Sequence, residues 1–430
     1  MNSRWTRRLV RPIDAAALGD LAWRRRFDLV LAAGVVLRLA TYAWGRSLWM
    51  DEGSLAGNIL GHSPLRLFEP LSNVQAAPPG YLFAERVLSA LSGGSRWMLR
   101  LPSLAAGLAA LWLVARPARR HLTQTPALLT LWLCAFSDDL VYYASELKPY
   151  STDVAITLLC LNAALDFEPP EPPRRPRRWA GLLALGVVAP WFSPASIFIL
   201  GATLVVWLVG NLRARRRRAT AAVAGLGLIW LASAATSRAA MLTQLTGGGM
   251  WTFWDFAFPP RILSTREDLA KLVRIMLDVF VNPLNLVWRD WPWPTVLVAA
   301  AVFATGVWRL AREHKRLCAL AILPVFFAFA AAWLRVYPFH GRLILFLFPL
   351  FAVVIAQSLF YIYDRLRCRF DRRAGWLAVA LFLAYPTLDA VWNACGERVR
   401  TFTTHGELRE IRFWSEKTIQ RSEAKSNSKP

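Results

Sequence analysis

Three short stretches hold the residues best suited to chemistry at a membrane surface. The first, Ser47-Leu48-Trp49-Met50-Asp51-Glu52-Gly53, sets two adjacent acids behind an apolar run and an interfacial indole. The second runs from Ser137-Asp138-Asp139 through Tyr142-Tyr143-Ala144-Ser145-Glu146-Leu147-Lys148-Pro149-Tyr150 to Asp153, with four acids, a lysine and three tyrosines. The third is Arg335-Val336-Tyr337-Pro338-Phe339-His340-Gly341-Arg342. A carboxylate can accept the proton of an attacking hydroxyl as its bond forms. Arginines and a histidine can neutralise a lipid phosphate, and arginine can grip it with two parallel bonds. Together they suit a group transfer in which a hydroxyl attacks a sugar carbon and a lipid phosphate leaves. The cations then stabilise the charge developing on the phosphate.

Each stretch also has a blander reading. A carboxylate kept inside a bilayer costs about 2.5–3.5 kcal/mol and is usually functional, but at the membrane edge that cost is much smaller. Asp51 and Glu52 are then solvated helix-end acids, the second stretch a polar turn with interfacial tyrosines, and the arginines snorkelling side chains. The last reading is the least comfortable, because those cations fall on the side where positive charge is usually scarce.

The elements that must position these residues follow from composition. The 430 residues are 56% hydrophobic and 18% charged, with 51 Lys and Arg against 28 Asp and Glu. Mean hydropathy is +0.34. A net charge of +23 on its own is compatible with nucleic-acid binding. The basic residues, however, sit in short runs between long apolar stretches, which is the layout of a multispanning membrane protein with cationic cytoplasmic loops and no nucleic-acid partner. The five cysteines form no Cys-x-x-Cys pair or Cys/His cluster, so neither a zinc site nor a disulfide framework is indicated. Met1 to Arg26 reads as a basic cytoplasmic leader into a retained helix, not a cleaved signal peptide.

Eleven spans are predicted: Phe27–Trp44, Leu99–Val114, Pro126–Tyr143, Tyr150–Leu165, Trp179–Phe192, Pro194–Val209, Thr220–Thr236, Thr295–Leu310, Leu317–Leu334, Leu343–Tyr363 and Gly375–Val391. Placing the basic runs inside gives one zigzag. It leaves outside the first loop 45–98, the stretch 137–149, the turn at Ser193, the long loop 237–294, residues 335–342 and the tail. This map requires Pro78–Leu91, interrupted by Glu85 and Arg86, to be an interfacial helix instead of a span. Residues 1–392 thus form one transmembrane domain. The segment from Phe167 to Arg178 is a stiff Pro-rich linker. The polar tail 393–430 is partly disordered, with a helix expected around Glu407–Gln420.

Five motifs then fall in register. Trp49-Met50-Asp51-Glu52, Ala77-Pro78-Pro79-Gly80-Tyr81-Leu82 and Leu99-Arg100-Leu101-Pro102-Ser103 follow the first span. Tyr143 to Tyr150 resembles a Tyr-x-x-Glu-x-Arg-Pro-Tyr stretch with Lys148 in place of Arg, and Phe339-His340-Gly341-Arg342-Leu343 precedes Phe348-Pro349-Leu350. In this the chain resembles the GT-C glycosyltransferases, specifically the protein-O-mannosyltransferase and aminoarabinose-transferase-like group. The resemblance implies an all-α GT-C-like bundle of about eleven transmembrane helices with external juxtamembrane helices, in a cell inner membrane. It implies a polyprenyl-phosphate-linked sugar donor and a lipid, glycan or protein acceptor, joined on the external face. Asp51 matches the general base, Glu52 its support, and Glu146 a second acid that positions substrate or an ion. Lys148, His340 and Arg342 would hold the donor phosphate, with Tyr150 and Tyr81 also toward substrate. Arg38, the main charge within a span, either pairs with a neighbouring helix or approaches the donor phosphate. No cofactor is required, although paired acids would also admit a divalent metal. Lys148 departs from the pattern, because an ammonium cannot make arginine's fork. A large soluble C-terminal domain, present in some members, is not expected here, which leaves acceptor recognition chiefly to loop 237–294. The alternatives are a secondary transporter or lipid flippase, which would place charges near the midplane of repeated halves, and a non-enzymatic scaffold.

Overall fold

The computed structural model describes residues 15–167, 176–245, 252–287, 292–395, 402–404 and 407–409. The start of the basic leader, most of the Pro-rich linker, the glycines 247–249 and most of the polar tail lie outside the described residues. In the tail, Phe402–Thr404 and Glu407–Arg409 pair as two short antiparallel strands, where the sequence reading began a helix at Glu407.

The rest is helical. The elements are α1 (Ala15–Ala43), α2 (Met50–Gly61), α3 (Pro79–Ser92), α4 (Arg96–His121), α5 (Gln124–Ala135), α6 (Asp138–Tyr143), α7 (Tyr150–Asp166), α8 (Pro176–Phe192), α9 (Ser196–Arg213) and α10 (Arg217–Leu242). They continue with α11 (Arg266–Val281), α12 (Pro292–Glu313), α13 (Lys315–Trp333), α14 (Phe348–Arg369) and α15 (Arg372–Ala394). Among the described residues, seven helical segments are long and apolar enough to cross a membrane: α4, α9, α10, α12, α13, α14 with the 3-10 turn before it, and α15. The protein is a multi-pass membrane protein. The other four expected spans fall outside that set for visible reasons. Asp28 and Arg38 lie within α1, α5 and α6 are a broken pair, and α7 and α8 have 17 residues each.

Large apolar side chains such as Trp112, Leu228, Leu231, Leu381 and Leu388 stand exposed on the bundle. A water-soluble chain would aggregate through such a surface, whereas lipid tails solvate it. Inside, α14 is buried along most of its length, packed between α5, α12 and α15.

The break between α5 and α6 delivers the second chemical stretch to the outer end. Helix α5 ends at Ala135, and Ser137 caps α6 by accepting the Leu140 N–H. The carbonyls left open at the end of α5 would be costly in apolar surroundings. Arg38 of α1 satisfies them, donating to Cys134 O at 3.0 Å and Ala135 O at 3.3 Å. Just beyond, the chain passes so close to α4 that a Cβ on Gly107 would lie 2.6 Å from Ala144 Cβ.

The first external loop folds as a small cap. Leu55, Ile59, Leu67, Leu71, Tyr81 and Leu82 form a core with Leu99 and Leu147, separate from the main bundle core. Helix α3, the segment expected to be interfacial, has 14 residues. That is about 21 Å of helix, too short for a hydrocarbon layer of about 30 Å. It packs against α2, α4 and α8.

Candidate active site at the outer end of the bundle

Asp51 stands in the first turn of α2, where the helix dipole favours a carboxylate. Its Oδ2 accepts from Arg342 Nη2 at 2.9 Å and lies 4.0 Å from Lys148 Nζ. Residues far apart in sequence thus meet at one carboxylate. Burial pushes the Asp51 carboxyl up, but Lys148 and Arg342 outweigh it and hold the group below its ordinary range.

Arg342 arrives there through a specific backbone. Gly341 has φ +48°, a left-handed conformation natural to glycine, and starts the 3-10 turn Gly341–Leu347 that feeds α14. The guanidinium lies 5.5 Å from the Tyr150 ring centre and 5.9 Å from that of Trp49, so aromatic faces flank it. Lys148 precedes α7; its carbonyl accepts from Ser103 Oγ and its ammonium donates to Gln75 Oε1 at 2.8 Å.

Glu52 has a different setting. It is wholly buried and receives a two-pronged grip from Arg100, Nε at 2.8 Å and Nη2 at 2.6 Å. The Leu147 N–H adds a third bond at 2.7 Å. Arg100 in turn donates to the carbonyls of Arg46 and Ser47. This knot ties α2, α4 and the segment before α7 together.

Glu146 is also buried, and among the described residues neither carboxylate oxygen has a hydrogen-bond partner. Burial raises its pKa most, Glu52 adds to that, and Arg46, Arg342 and Lys148 pull it back, leaving it at about 6. Tyr150 packs edge-on against Tyr143 at 5.1 Å. Tyr81 lies in the cap core with its hydroxyl beside the buried carboxyl of Glu85.

Two expected residues lie apart from this cluster. Arg38 is spent on the carbonyls at the α5–α6 break, a backbone brace that the apolar run around it did not betray. The His340 ring packs 5.0 Å from Phe256 and 6.5 Å from Trp254. Burial and the nearby Arg342 lower its pKa to about 4, so at neutral pH it carries no charge for a phosphate. The two arginines of the third stretch also part company, since Arg335 pairs with Asp255 at 2.9 Å. The sequence reading missed Arg100, Arg46, Gln75 and Glu85 as members of the site. Arg100 had a usable signal, a charge inside an otherwise apolar span that needs a buried partner.

Residues 76–237 match the family of dolichyl-phosphate-mannose-protein mannosyltransferases. Comparison with curated proteins finds no match. Among solved structures, the oligosaccharyltransferase AglB from the archaeon Archaeoglobus fulgidus, in complex with an inhibitory peptide and a dolichol-phosphate, aligns with a TM-score of 0.52 at 12% identity, covering 86% of this chain and 56% of that one. ArnT from Cupriavidus metallidurans in the apo state aligns with a TM-score of 0.52 at 15% identity, covering 86% and 64%. ArnT bound to undecaprenyl phosphate gives 0.50 at 17% identity, covering 83% and 63%. The chain therefore spans less than two thirds of the length of these structures. It is a multi-pass membrane protein with the GT-C fold of these structures, and its residues 76–237 are similar to the dolichyl-phosphate-mannose-protein mannosyltransferases.

Proposed function

We propose that this protein is a glycosyltransferase that moves a sugar from a polyprenyl-phosphate donor to an acceptor hydroxyl at the external face of an inner membrane, with Asp51 as general base. The observation that carries this reading is the shared carboxylate of Asp51, held by Arg342 and Lys148 with a fifth of its side-chain surface still open.

That arrangement gives the cations two uses. Without substrate they compensate Asp51. A donor phosphate entering from the bilayer competes for the same guanidinium and ammonium, and as they turn to it the carboxylate loses its stabilisers. Its affinity for a proton rises where an acceptor hydroxyl must give one up. The hydroxyl oxygen bonds to the sugar's anomeric carbon as the bond from that carbon to the phosphate oxygen breaks. The proton passes to Asp51, and the electron pair leaves with the polyprenyl phosphate against Arg342 and Lys148. Glu146, buried with acceptor capacity unfilled, serves as a positioning group for the incoming substrate.

The reaction is read as metal-free because of how the acids are used. Asp51 faces two cations and Glu52 a bidentate arginine, a donor set that does not fit a divalent ion.

The test begins with deletion of the gene and mass spectrometry of envelope lipids and glycans. One sugar-bearing product is expected to disappear, to return with the wild-type gene and to stay absent with Asp51→Asn. Full restoration by Asp51→Asn would remove the base, and an unchanged lipid and glycan profile would remove the transfer reading.

A further inference from the structure

A cavity of about 460 Å³ opens at the far end of the bundle. Arg116 and Arg120 of α4, Asp166 at the end of α7 and Arg178 of α8 form its polar side, and Leu182 and Leu185 of α8 its apolar side. Arg100 and Arg116 share α4, so at 1.5 Å per residue this place lies about 24 Å along the helix from the Glu52 knot. The same rise separates Tyr150 from Asp166 on α7. This cavity belongs to the end that positive charge marks as cytoplasmic.

The polar side is built rather than incidental. Asp166 bridges two guanidiniums, Arg116 at 2.5 Å and Arg120 at 2.8 Å. Buried Asn162 accepts from Arg116 at 3.3 Å while its own amide is locked to the carbonyls of Leu113 and Leu158. A guanidinium has five donors, and these bonds use two from Arg116 and one from Arg120. Three arginines lining the cavity face one carboxylate, a local excess of positive charge that an anion would balance.

The apolar side shows what kind of anion fits. Trp179, one turn before Leu182 on α8, packs against Phe167 at 5.3 Å, placing an indole where headgroup meets hydrocarbon. Leu182 and Leu185 follow on the same helix, deeper along the bundle. A free phosphate would use only the arginines, whereas a phospholipid would use the arginines and the leucines together.

We propose that this cavity binds the phosphate headgroup of an anionic lipid of the cytoplasmic leaflet, with its first acyl carbons along Leu182 and Leu185. Basic pockets between helices at that level suit such headgroups, and each arginine near the surface strengthens binding about fivefold. The site is separate from the one that handles the sugar donor.

The full-length protein in nanodiscs of equal phosphatidylglycerol and phosphatidylcholine provides the assay, with retained lipid counted by native mass spectrometry after detergent extraction. Wild type is expected to retain phosphatidylglycerol preferentially. Arg178→Gln removes a cation without touching the Arg–Asp bridge, and retention should fall about fivefold. Gly181→Phe projects into the space, since a Cβ there meets nothing within 4 Å, and should abolish retention while the unfolding midpoint stays put. Equal retention of the two lipids by wild type, or undiminished retention in both variants, would overturn the proposal. If millimolar inorganic phosphate displaces the lipid and protects wild type equally well against unfolding, the cavity belongs to a soluble phosphate and the lipid assignment falls.

Discussion

Asp51 and Glu52 are neighbours in sequence and opposites in physical situation. Glu52 has no exposed surface, a bidentate arginine and a backbone N–H; all of its capacity is filled by the protein itself. Asp51 keeps a fifth of its side chain open, takes one bond from Arg342 and shares a longer contact with Lys148. A buried, fully satisfied ion pair is architecture, because either partner alone would be a charge stranded in low dielectric. A half-open pair whose cations are shared can exchange partners at little cost. Of two adjacent acids, one fastens the cap to the bundle and the other, in the proposed mechanism, is left for substrate.

The largest expected effect on stability therefore falls on Glu52, the acid whose bonds all go to the protein itself. Glu52→Gln leaves Arg100 buried without its counter-ion, a loss of about 3–5 kcal/mol. Thermal unfolding followed in detergent should show a large drop or no folded protein. Adding Arg100→Met to Glu52→Gln should recover much of that loss, since an apolar pair tolerates burial; no recovery would break the distinction. Asp51→Asn should behave in the reverse sense. Its midpoint should stay within about 1 kcal/mol of wild type, as for other partly exposed pairs. Turnover of polyprenyl-phosphate sugar should fall about 10²–10⁴-fold, the usual share of a general base. If Asp51→Asn unfolds as Glu52→Gln does, the two acids are one structural unit.

A smaller effect sharpens the shared-cation half of the comparison. Arg342→Lys keeps the charge and removes the fork, so one charge-assisted bond to phosphate is lost, worth about tenfold. That loss should raise the KM for the donor lipid and leave the KM for the acceptor unchanged. Equal changes in both would place Arg342 in the scaffold with Arg100.

Long apolar stretches and charge runs made the helical membrane fold legible, and Pro78–Leu91, short and interrupted by Glu85 and Arg86, was expected to be interfacial. The convergence of Asp51, Lys148 and Arg342 was also legible, because all three sit at span ends on one side. Roles that depend on side-chain direction were not. Nothing in the apolar run around Arg38 tells whether it reaches a substrate or a neighbouring carbonyl. His340 and Arg335 looked like phosphate ligands by type, but packing gives one to an aromatic cage and the other to Asp255. The break at residue 136 was partly legible, because Ser137-Asp138-Asp139 interrupts the stretch Pro126–Tyr143, but the brace by which Arg38 satisfies the carbonyls freed by breaking it was not.

The smallest expected effect concerns Glu85, which lies under the cap on the same buried side as Glu52 but without an arginine. Burial raises its carboxyl to about 8, and the Tyr81 hydroxyl offsets only part of that. The folded protein thus holds this proton where the unfolded chain, near an ordinary value of 4.5, has released it. Between those values the native state binds more protons than the unfolded one, so stability falls as pH rises. The contribution is complete below about 4.5 and gone above about 8. Glu146, raised only to about 6, finishes its own loss earlier. Between pH 7.5 and 8.5, above the range of the other buried acids, the slope of the unfolding midpoint should therefore come mainly from Glu85, and Glu85→Gln should flatten it while Glu146→Gln leaves it. A slope that survives Glu85→Gln would mean that Glu85 is ionised and paired in the fold, which would make it a second Glu52.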